Sequence, residues 1–168
     1  MMSDAELKFR HAEAFVHAAG IVSEHAVTRA YLVPPVIVCR AFAFELFLKC
    51  LIELEGGNYP KKHTLRLLFN LLSSTSQVDI KSRSIVCCAQ WGSVRAPEPN
   101  PDKALDMSSE AFERFRYWFE PDYMGQSSWL ADSLLRGIRD RLVMLKPDWE
   151  LFLDDPNAPL PQPPSPTP

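Results

Sequence analysis

The sequence predicts an all-α protein: a bundle of about five to six helices followed by a disordered, proline-rich C-terminal tail. In several segments, apolar residues recur at helical spacing, and serine, glycine or proline residues separate one segment from the next. No alternation of apolar and polar residues is long enough to indicate a strand. From Asp154 onward, seven of fifteen residues are proline, a composition that forms neither helix nor sheet. We therefore predict a helical domain over residues 1–150 and a tail over residues 151–168.

Length and composition narrow the class of protein. A chain of 168 residues fits one domain, and a domain of this size needs neither a disulfide nor a metal to fold. The formal net charge of -3 gives no overall attraction for nucleic acid. The four cysteines form no C-x-x-C pair and lie in apolar runs, so we interpret them as reduced core thiols and expect no metal and no cofactor.

The N-terminal ten residues are charged and lack an apolar signal core, and no run reaches the roughly 18 apolar residues of a membrane helix. We therefore predict a cytoplasmic protein with no membrane partner.

The first helix is expected over residues 3–27, with Ser3 as its cap and Glu6 as the reciprocal partner of a capping box. The second is expected over residues 33–55, with Pro34 and Pro35 in its first turn and Gly56 at its end.

The second helix is predicted to be the central one, because it is apolar on most sides. One face carries mainly large apolar side chains, interrupted by a single arginine: Val36, Arg40, Phe44, Phe47 and Leu51. A second apolar side carries Phe42, Leu46 and Cys50. Only a narrow stripe, formed by Glu45, Lys49 and Glu53 at intervals of four residues, is charged.

Four shorter helices complete the predicted bundle. Thr64 is a candidate cap for a helix over residues 65–72, and another helix is expected over residues 77–91. Three prolines indicate a surface loop over residues 92–107. Ser108 or Ser109 would cap a helix over residues 110–119, and the last helix would run over residues 128–146 with one apolar stripe toward the core.

Three motifs follow one another along the chain: residues 43–51 (AFELFLKCL), residues 62–72 (KHTLRLLFNLL) and residues 112–120 (FERFRYWFE). In this order they resemble the central helix of HEPN-domain proteins, the element that follows it and a segment before the last helix of that family. The resemblance implies a helical bundle, often a homodimer, that cuts RNA without a metal or binds RNA or a partner protein. Some members belong to toxin–antitoxin or defence systems.

The resemblance does not extend to the catalytic motif. Family nucleases carry Arg, four to six residues and then His near the start of the last helix, whereas this chain has no histidine after His63. The one Arg-x6-His spacing joins Arg10 to His17 in the first helix, on one helix face but at the wrong place in the chain. Arg10 and His17 are therefore only weak catalytic candidates, and we favour a non-catalytic protein.

The binding candidates begin with the ionic groups of the second helix. Arg40, in an apolar stripe, is either an anion-binding residue of a cleft or one half of an internal ion pair with Glu113 or Glu120; we favour the pair. Glu45 and Lys49 are either a solvated i, i+4 pair or part of a functional site.

Two further segments contribute binding candidates. Lys62 and His63 stand at a helix start, where a phosphate can bind; His63 is otherwise a partly exposed residue of the capping region, which we favour. Arg116, Tyr117 and Glu120 lie in an aromatic segment that would either stack on single-stranded RNA or pack in the core. On the last helix, Asp132, Arg136 and Asp140 are interpreted as an exposed ladder of ion pairs.

The function that we predict from these features is a HEPN-like, non-catalytic helical module that binds RNA or a partner protein, with a toxin–antitoxin or defence setting as an implication of the resemblance. Two alternatives remain open. One is a metal-independent endoribonuclease with an atypical active site, and the other is a purely structural dimerisation domain.

Overall fold

The computed structural model describes residues 2–26, 28–61, 64–90, 100–114 and 128–152, and throughout these ranges it is a helical bundle without strands. The prediction of an all-α bundle is confirmed. The α-helices in this part of the chain are α1 (Asp4–Ala26), α2 (Val33–Leu54), α3 (Leu65–Asn70), α4 (Ser74–Gln90), α5 (Pro101–Arg114) and α6 (Ser128–Leu145). Short 3₁₀ helices lie before α2, over Ala30–Leu32, and after α6, over Pro147–Phe152.

Helix α2 lies at the centre of the bundle, as its apolar sides predict. It contacts α1, α3, α5 and α6, and Phe44 and Phe47 are only 2% and 0% exposed. Helix α1 runs antiparallel to it, with Phe9 packed against Phe47 at 5.6 Å between ring centroids and Phe15 stacked on Phe42 at 5.4 Å. The few ionic groups of α2 are consequently held between neighbouring helices.

The ends of α1 and α2 follow local rules. Ser3 caps α1 as predicted, because its hydroxyl accepts a hydrogen bond from the Glu6 N–H at 3.2 Å. The Glu6 carboxylate, however, pairs with Arg10 at 2.6 Å. Helix α2 ends before Gly56, whose φ of +75° is the left-handed conformation that glycine adopts without strain.

Glu55, just after α2, organises the start of α4. Its carboxylate accepts the Ser73 N–H at 2.7 Å and the Ser73 and Ser76 hydroxyl groups at 2.7 and 2.6 Å. Burial raises the pKa of Glu55, but these hydrogen bonds outweigh it and the pKa is lowered. The predicted cap Thr64, in contrast, makes no side-chain hydrogen bond to α3. Helix α4 thus begins at Ser74, three residues earlier than predicted.

The prediction of a surface loop over residues 92–107 is wrong for its last seven residues, which form the first half of α5. Pro101 stands at the first helical position, where a missing N–H has no cost. Asn100 precedes it and accepts the Lys103 N–H at 3.0 Å, which is the capping bond of this helix. The predicted cap Ser108 instead lies inside α5, buried, and donates to the Ala104 carbonyl at 2.7 Å.

Helices α4 and α6 pack antiparallel and in close contact. A Cβ atom added to Gly137 of α6 would stand 2.8 Å from the Ile80 carbonyl oxygen of α4, so only glycine fits this crossing. Nearby, the buried hydroxyl groups of Ser84 and Ser133 share a hydrogen bond of 2.9 Å between the same two helices. The crossing is therefore specified by small residues rather than by large apolar ones.

The C-terminal 3₁₀ helix belongs to the core. Trp149 is 5% exposed and packs on Phe9 with ring centroids 5.2 Å apart, and the 3₁₀ helix extends to Phe152, inside the segment predicted as tail. The rest of the proline-rich tail lies outside the described residues. All four cysteines are free; Cys50 and Cys87 are buried, as expected of core thiols, and Cys39 and Cys88 are half-buried.

Candidate functional site

The charged stripe of α2 is part of a connected network of five side chains, which we call the α2 cluster: Lys8, Glu45, Lys49, Glu53 and Tyr59. Lys49 binds Glu45 at 2.6 Å and lies 5.3 Å above the Tyr59 ring. Lys8 of α1 binds Glu53 at 2.9 Å, and the Tyr59 hydroxyl donates to the same carboxylate at 2.8 Å. The cluster joins α1, α2 and the loop after α2.

The interpretation of Glu45 and Lys49 as a solvated pair is wrong, because Glu45 is 7% exposed and its side chain faces the packed interior. Burial lowers the pKa of Lys8, yet the hydrogen bond and the charge of Glu53 outweigh it and raise that pKa. Burial and the hydrogen bond to Glu53 raise the pKa of Tyr59. Lys8 and Tyr59 therefore keep their protons at neutral pH, and neither is a general base.

Arg40 is half of an ion pair, as favoured from the sequence, and the structure describes Asp132 of α6 as its partner at 2.9 Å. Of the expected partners, Glu120 lies outside the described residues, and Glu113 is described only as part of the α5 backbone. Asp132 was interpreted as part of an exposed ladder; that interpretation is wrong for Asp132, whose side chain is 21% exposed and faces α2. Burial raises the pKa of Asp132 to about 6, although Arg40 opposes the shift.

We expect the Asp132→Asn variant to be more stable than the wild type at pH 7 by about 1–3 kcal/mol, and to differ from it much less at pH 4. The folded state holds the Asp132 proton up to a pKa of about 6, whereas the ordinary value is 3.8. The wild type therefore loses stability from this residue as pH rises between these two values. Urea unfolding at pH 4, 5, 6 and 7 measures the difference.

Arg40→Gln provides the matched control for this experiment. It removes the cation that lowers the Asp132 pKa, so this pKa should rise further. The pH range over which Asp132 reduces the free energy of unfolding should then extend to higher pH. A constant difference between wild type and Asp132→Asn from pH 4 to pH 7 would contradict the assignment.

Arg40 does not belong to the α2 cluster. Lys49 stands nine positions after Arg40, which places the two side chains about 180° apart around the helix. Arg40 accordingly faces α6, whereas Lys49 faces the loop that carries Tyr59. The two sequence-predicted binding groups of α2 are not brought together.

The weak catalytic candidates Arg10 and His17 are also not brought into contact by a described interaction. Arg10 is held by Glu6 at 2.6 Å, and His17 is exposed about two helical turns further along α1, about 10 Å away along the axis. Five further candidates lie outside the described residues: Lys62, His63, Arg116, Tyr117 and Glu120.

Two groups of functional interest escaped the sequence reasoning. Glu13 of α1, 9% exposed, binds Arg139 of α6 at 2.7 Å, a pair separated by 126 positions that no local spacing could indicate. Arg66 of α3 binds Asp102 and Asp106 of α5, each at 2.7 Å, and Lys81 of α4 binds Asp102 at 2.8 Å. These contacts tie the outer helices to one another.

The described cysteines and carboxylates offer little for nucleophilic catalysis or metal binding. Burial raises the pKa of Cys50 to about 12, and its thiol donates to the Ala5 carbonyl at 3.1 Å, so it is not a nucleophile at neutral pH. Within the ranges that the structure describes, no three His, Cys, Asp or Glu side chains stand close enough to hold a metal ion. Among the described helices, none combines the length and apolar character needed to cross a bilayer.

The outward side of α4 is a different kind of surface. Five exposed side chains without charge lie within about 100° of its circumference, and we call them the α4 face: Thr75, Val78, Ser82, Ile85 and Val86. Val78, Val86 and Ile85 are 65%, 56% and 43% exposed. A solvent-facing helix side usually carries charged residues, so an uncharged one indicates a contact surface.

No protein-family model, curated protein or solved structure matches this chain.

Proposed function

We propose that this protein is a HEPN-like, non-catalytic helical module that acts by protein–protein contact through the α4 face. The exposed α4 face, apolar or hydroxylic at every position, is the observation that carries the proposal. The toxin–antitoxin or defence setting that the family resemblance implies would supply the class of partner. A homodimer, which the resemblance also implies, is one such contact.

The charges of the described side chains favour a protein partner over RNA. Nine arginine and lysine side chains already pair with carboxylates of this chain: Lys8, Arg10, Arg40, Lys49, Arg66, Lys81, Arg83, Arg139 and Arg141. A phosphate would have to displace these carboxylates, and RNA affinity depends on cations that are free to replace counterions. The formal net charge of -3 acts in the same direction.

The absence of catalysis in this proposal rests on the states of the candidate groups. Arg10 is occupied by Glu6, Lys8 and Tyr59 keep their protons, and Cys50 keeps its thiol proton. General acid–base work at neutral pH needs a group that titrates near pH 7 within reach of a substrate. These four groups do not supply it, and Asp132, whose pKa burial raises to about 6, is paired with Arg40 at 2.9 Å between α2 and α6.

We expect labelled single-stranded RNA, incubated with pure protein in EDTA, to stay intact and to bind no more tightly than about 100 µM at physiological salt, the weak end of non-specific affinity. Gel analysis measures cleavage and filter retention measures binding. Cleavage that disappears in His17→Ala or His63→Ala would establish the ribonuclease alternative. Submicromolar retention with a steep salt dependence would establish RNA binding. Either result would contradict the proposal.

Protein contact is tested by capturing partner proteins on the tagged wild-type chain and on two matched variants. These are Val78→Glu on the α4 face and Ile21→Glu on α1, both at exposed apolar positions. We expect wild type and Ile21→Glu to retain the same protein, and Val78→Glu to lose it, because a buried carboxylate in an apolar contact is costly. Equal retention by all three would remove the α4 face from the proposed function.

A further inference from the structure

The described part of the chain ends close to the start of α4. Arg141 of α6 donates to the Ser76 hydroxyl at 3.1 Å, and Met144, in the last turn of α6, contacts the Arg83 guanidinium. The C-terminal 3₁₀ helix follows and ends at Phe152. Because this helix rises only about 2 Å per residue, Phe152 lies within about 20 Å of Met144. The chain beyond Phe152 therefore begins near the N-terminal end of α4.

The chain beyond Phe152 is long enough to cover the α4 face. Its sixteen residues span about 50 Å as an extended proline-rich chain, at roughly 3.1 Å per residue. The α4 face runs from Thr75 to Val86, which is about 17 Å at the helical rise of 1.5 Å per residue. The way from Phe152 to α4 and the length of the face together amount to about 40 Å, so the chain reaches along the whole face.

The last thirteen residues, which we call the outer tail (residues 156–168), match the α4 face in charge and in hydrogen-bonding groups. Neither the outer tail nor the α4 face carries a charged side chain. Proline has no N–H donor, and an extended proline-rich segment leaves its carbonyl acceptors free of internal hydrogen bonds. The exposed hydroxyl groups of Thr75 and Ser82 are donors for such carbonyls, and the three aliphatic side chains of the face offer apolar surface to the proline rings.

The end of the α4 face nearest to Phe152 is concave. A hollow of about 520 Å³ lies there, and its described lining consists of Ser74, Thr75, Val78, Asp79 and Ser82. This volume falls within the roughly 300–1,000 Å³ of sites that hold a small ligand. A few residues of an extended chain can therefore enter the hollow before the rest follows the helix.

We propose that the outer tail docks on the α4 face of its own chain, so that a partner protein has to displace it. The inference rests on the proposed function, because it states how access to the same face is regulated. A segment of the same chain is favoured as the occupant because its attachment at Phe152 keeps it near the face at an effective concentration in the millimolar range.

Docking of the outer tail is expected to be reversible. Proline-rich segments usually bind grooves lined by aromatic side chains, and the five residues of the α4 face include none. We expect a dissociation constant of about 0.1 mM for the separate segment. An effective concentration of about 1 mM then gives about ten docked chains for each free one.

Methyl NMR spectra of the full chain and of a chain that ends at Asp155 test the docking. The shorter chain keeps Trp149, whose contact with Phe9 belongs to the core, so the bundle stays folded. We expect the methyl signals of Val78 and Val86 to differ between the two chains at every protein concentration. The methyl signals of Ile21, exposed on α1, should coincide. Coincident signals on the α4 face, or differences only at high concentration, overturn the inference.

A full-length control separates the effect of proline from that of chain length. It replaces the seven prolines of the outer tail with serine and keeps all 168 residues. The serine chain has no apolar rings and a larger conformational entropy to lose, so its α4 signals should match those of the shortened chain. Signals that match the wild type instead would overturn the role of the prolines.

A synthetic peptide of residues 156–168 measures the competition directly. We expect the shortened chain to bind this peptide with a dissociation constant of about 0.1 mM, and the full chain to bind it about tenfold more weakly, because its own tail occupies the face. Val78→Glu in the shortened chain should abolish peptide binding, since it places a carboxylate in an apolar contact. Equal binding to the full and the shortened chain, or binding to neither, overturns the inference.

These outcomes separate the inference from the proposed function. A peptide that binds neither chain rejects the outer tail as the occupant and leaves partner contact through the α4 face in place. Submicromolar RNA binding rejects the proposed function and leaves the peptide result unaffected.

Discussion

The Gly137→Ala variant is expected to lose about 2 kcal/mol of unfolding free energy, within the roughly 1–3 kcal/mol range of overpacked sites. The added Cβ atom would stand 2.8 Å from the Ile80 carbonyl oxygen, and this oxygen belongs to the backbone of α4, which cannot rotate away. The helices must therefore separate. Separation also weakens the buried Ser84–Ser133 hydrogen bond between them. Urea unfolding monitored by circular dichroism measures the loss.

Gly20→Ala is the matched control for this variant. Gly20 lies inside α1 with nothing within 4 Å of the added Cβ atom. Alanine there should raise stability by about 0.5–1 kcal/mol, because it restricts the unfolded chain and favours the helix. If both glycine variants were stabilised alike, α4 and α6 would not be in the close contact described.

The second large effect is expected for Phe47→Ala, which should lower the unfolding free energy by about 3–5 kcal/mol. Phe47 is 0% exposed and packs against Phe9, so its removal leaves a cavity at the centre of the bundle. A loss of this size is a large part of the roughly 5–15 kcal/mol that stabilises an ordinary domain. Denaturant unfolding and the urea midpoint measure it.

Ile21→Ala serves as the control for the central cavity, since Ile21 is 52% exposed on α1. Its substitution should change stability by no more than about 0.5 kcal/mol. A comparable, small effect of Phe47→Ala would mean that α2 is not enclosed by its neighbours, and the central position of α2 would then be wrong.

The central place of α2 could be predicted because it depends on one helix alone. A helix that is apolar around most of its circumference has to be covered on most sides, whatever covers it. The position of Phe44 and Phe47 in the core follows directly from this pattern. The cap at Ser3 and the end before Gly56 are likewise local, since each depends on residues within one helical turn.

The start of α5 could not be predicted from proline content, because the same residue type both breaks helices and begins them. The deciding contact is the Asn100 side chain, which accepts the Lys103 N–H at 3.0 Å. Packing then holds the helix in place, through Ala104 and Leu105, which are 2% and 0% exposed. The local signal for a helix at this position is Asn100, a residue type that caps helices, directly before Pro101.

The candidate-site residues likewise include some whose contacts are local, and therefore predictable, and some whose contacts are not. The pairing of Glu45 with Lys49 lies within one helix and was visible at a spacing of four residues. The partner of Arg40 was not visible, because Asp132 is far along the chain and reaches Arg40 only when α6 lies against α2. The contact of Lys8 with Glu53 was not visible for the same reason, because it forms only when α1 lies against α2. Tyr59 is close in the chain, but it lies in the loop after α2, where helical spacing does not indicate a contact with Glu53.

The sequence by itself determined the helical class, the central helix and the Glu45–Lys49 pair, because these follow from periodicity and from contacts within a turn or two. Only the tertiary structure decided which charges meet across helices, and that the α4 side bearing Val78 and Val86 is left uncovered. Such contacts depend on the relative placement of helices that are distant in the chain, and residue spacing along one helix contains no information about it.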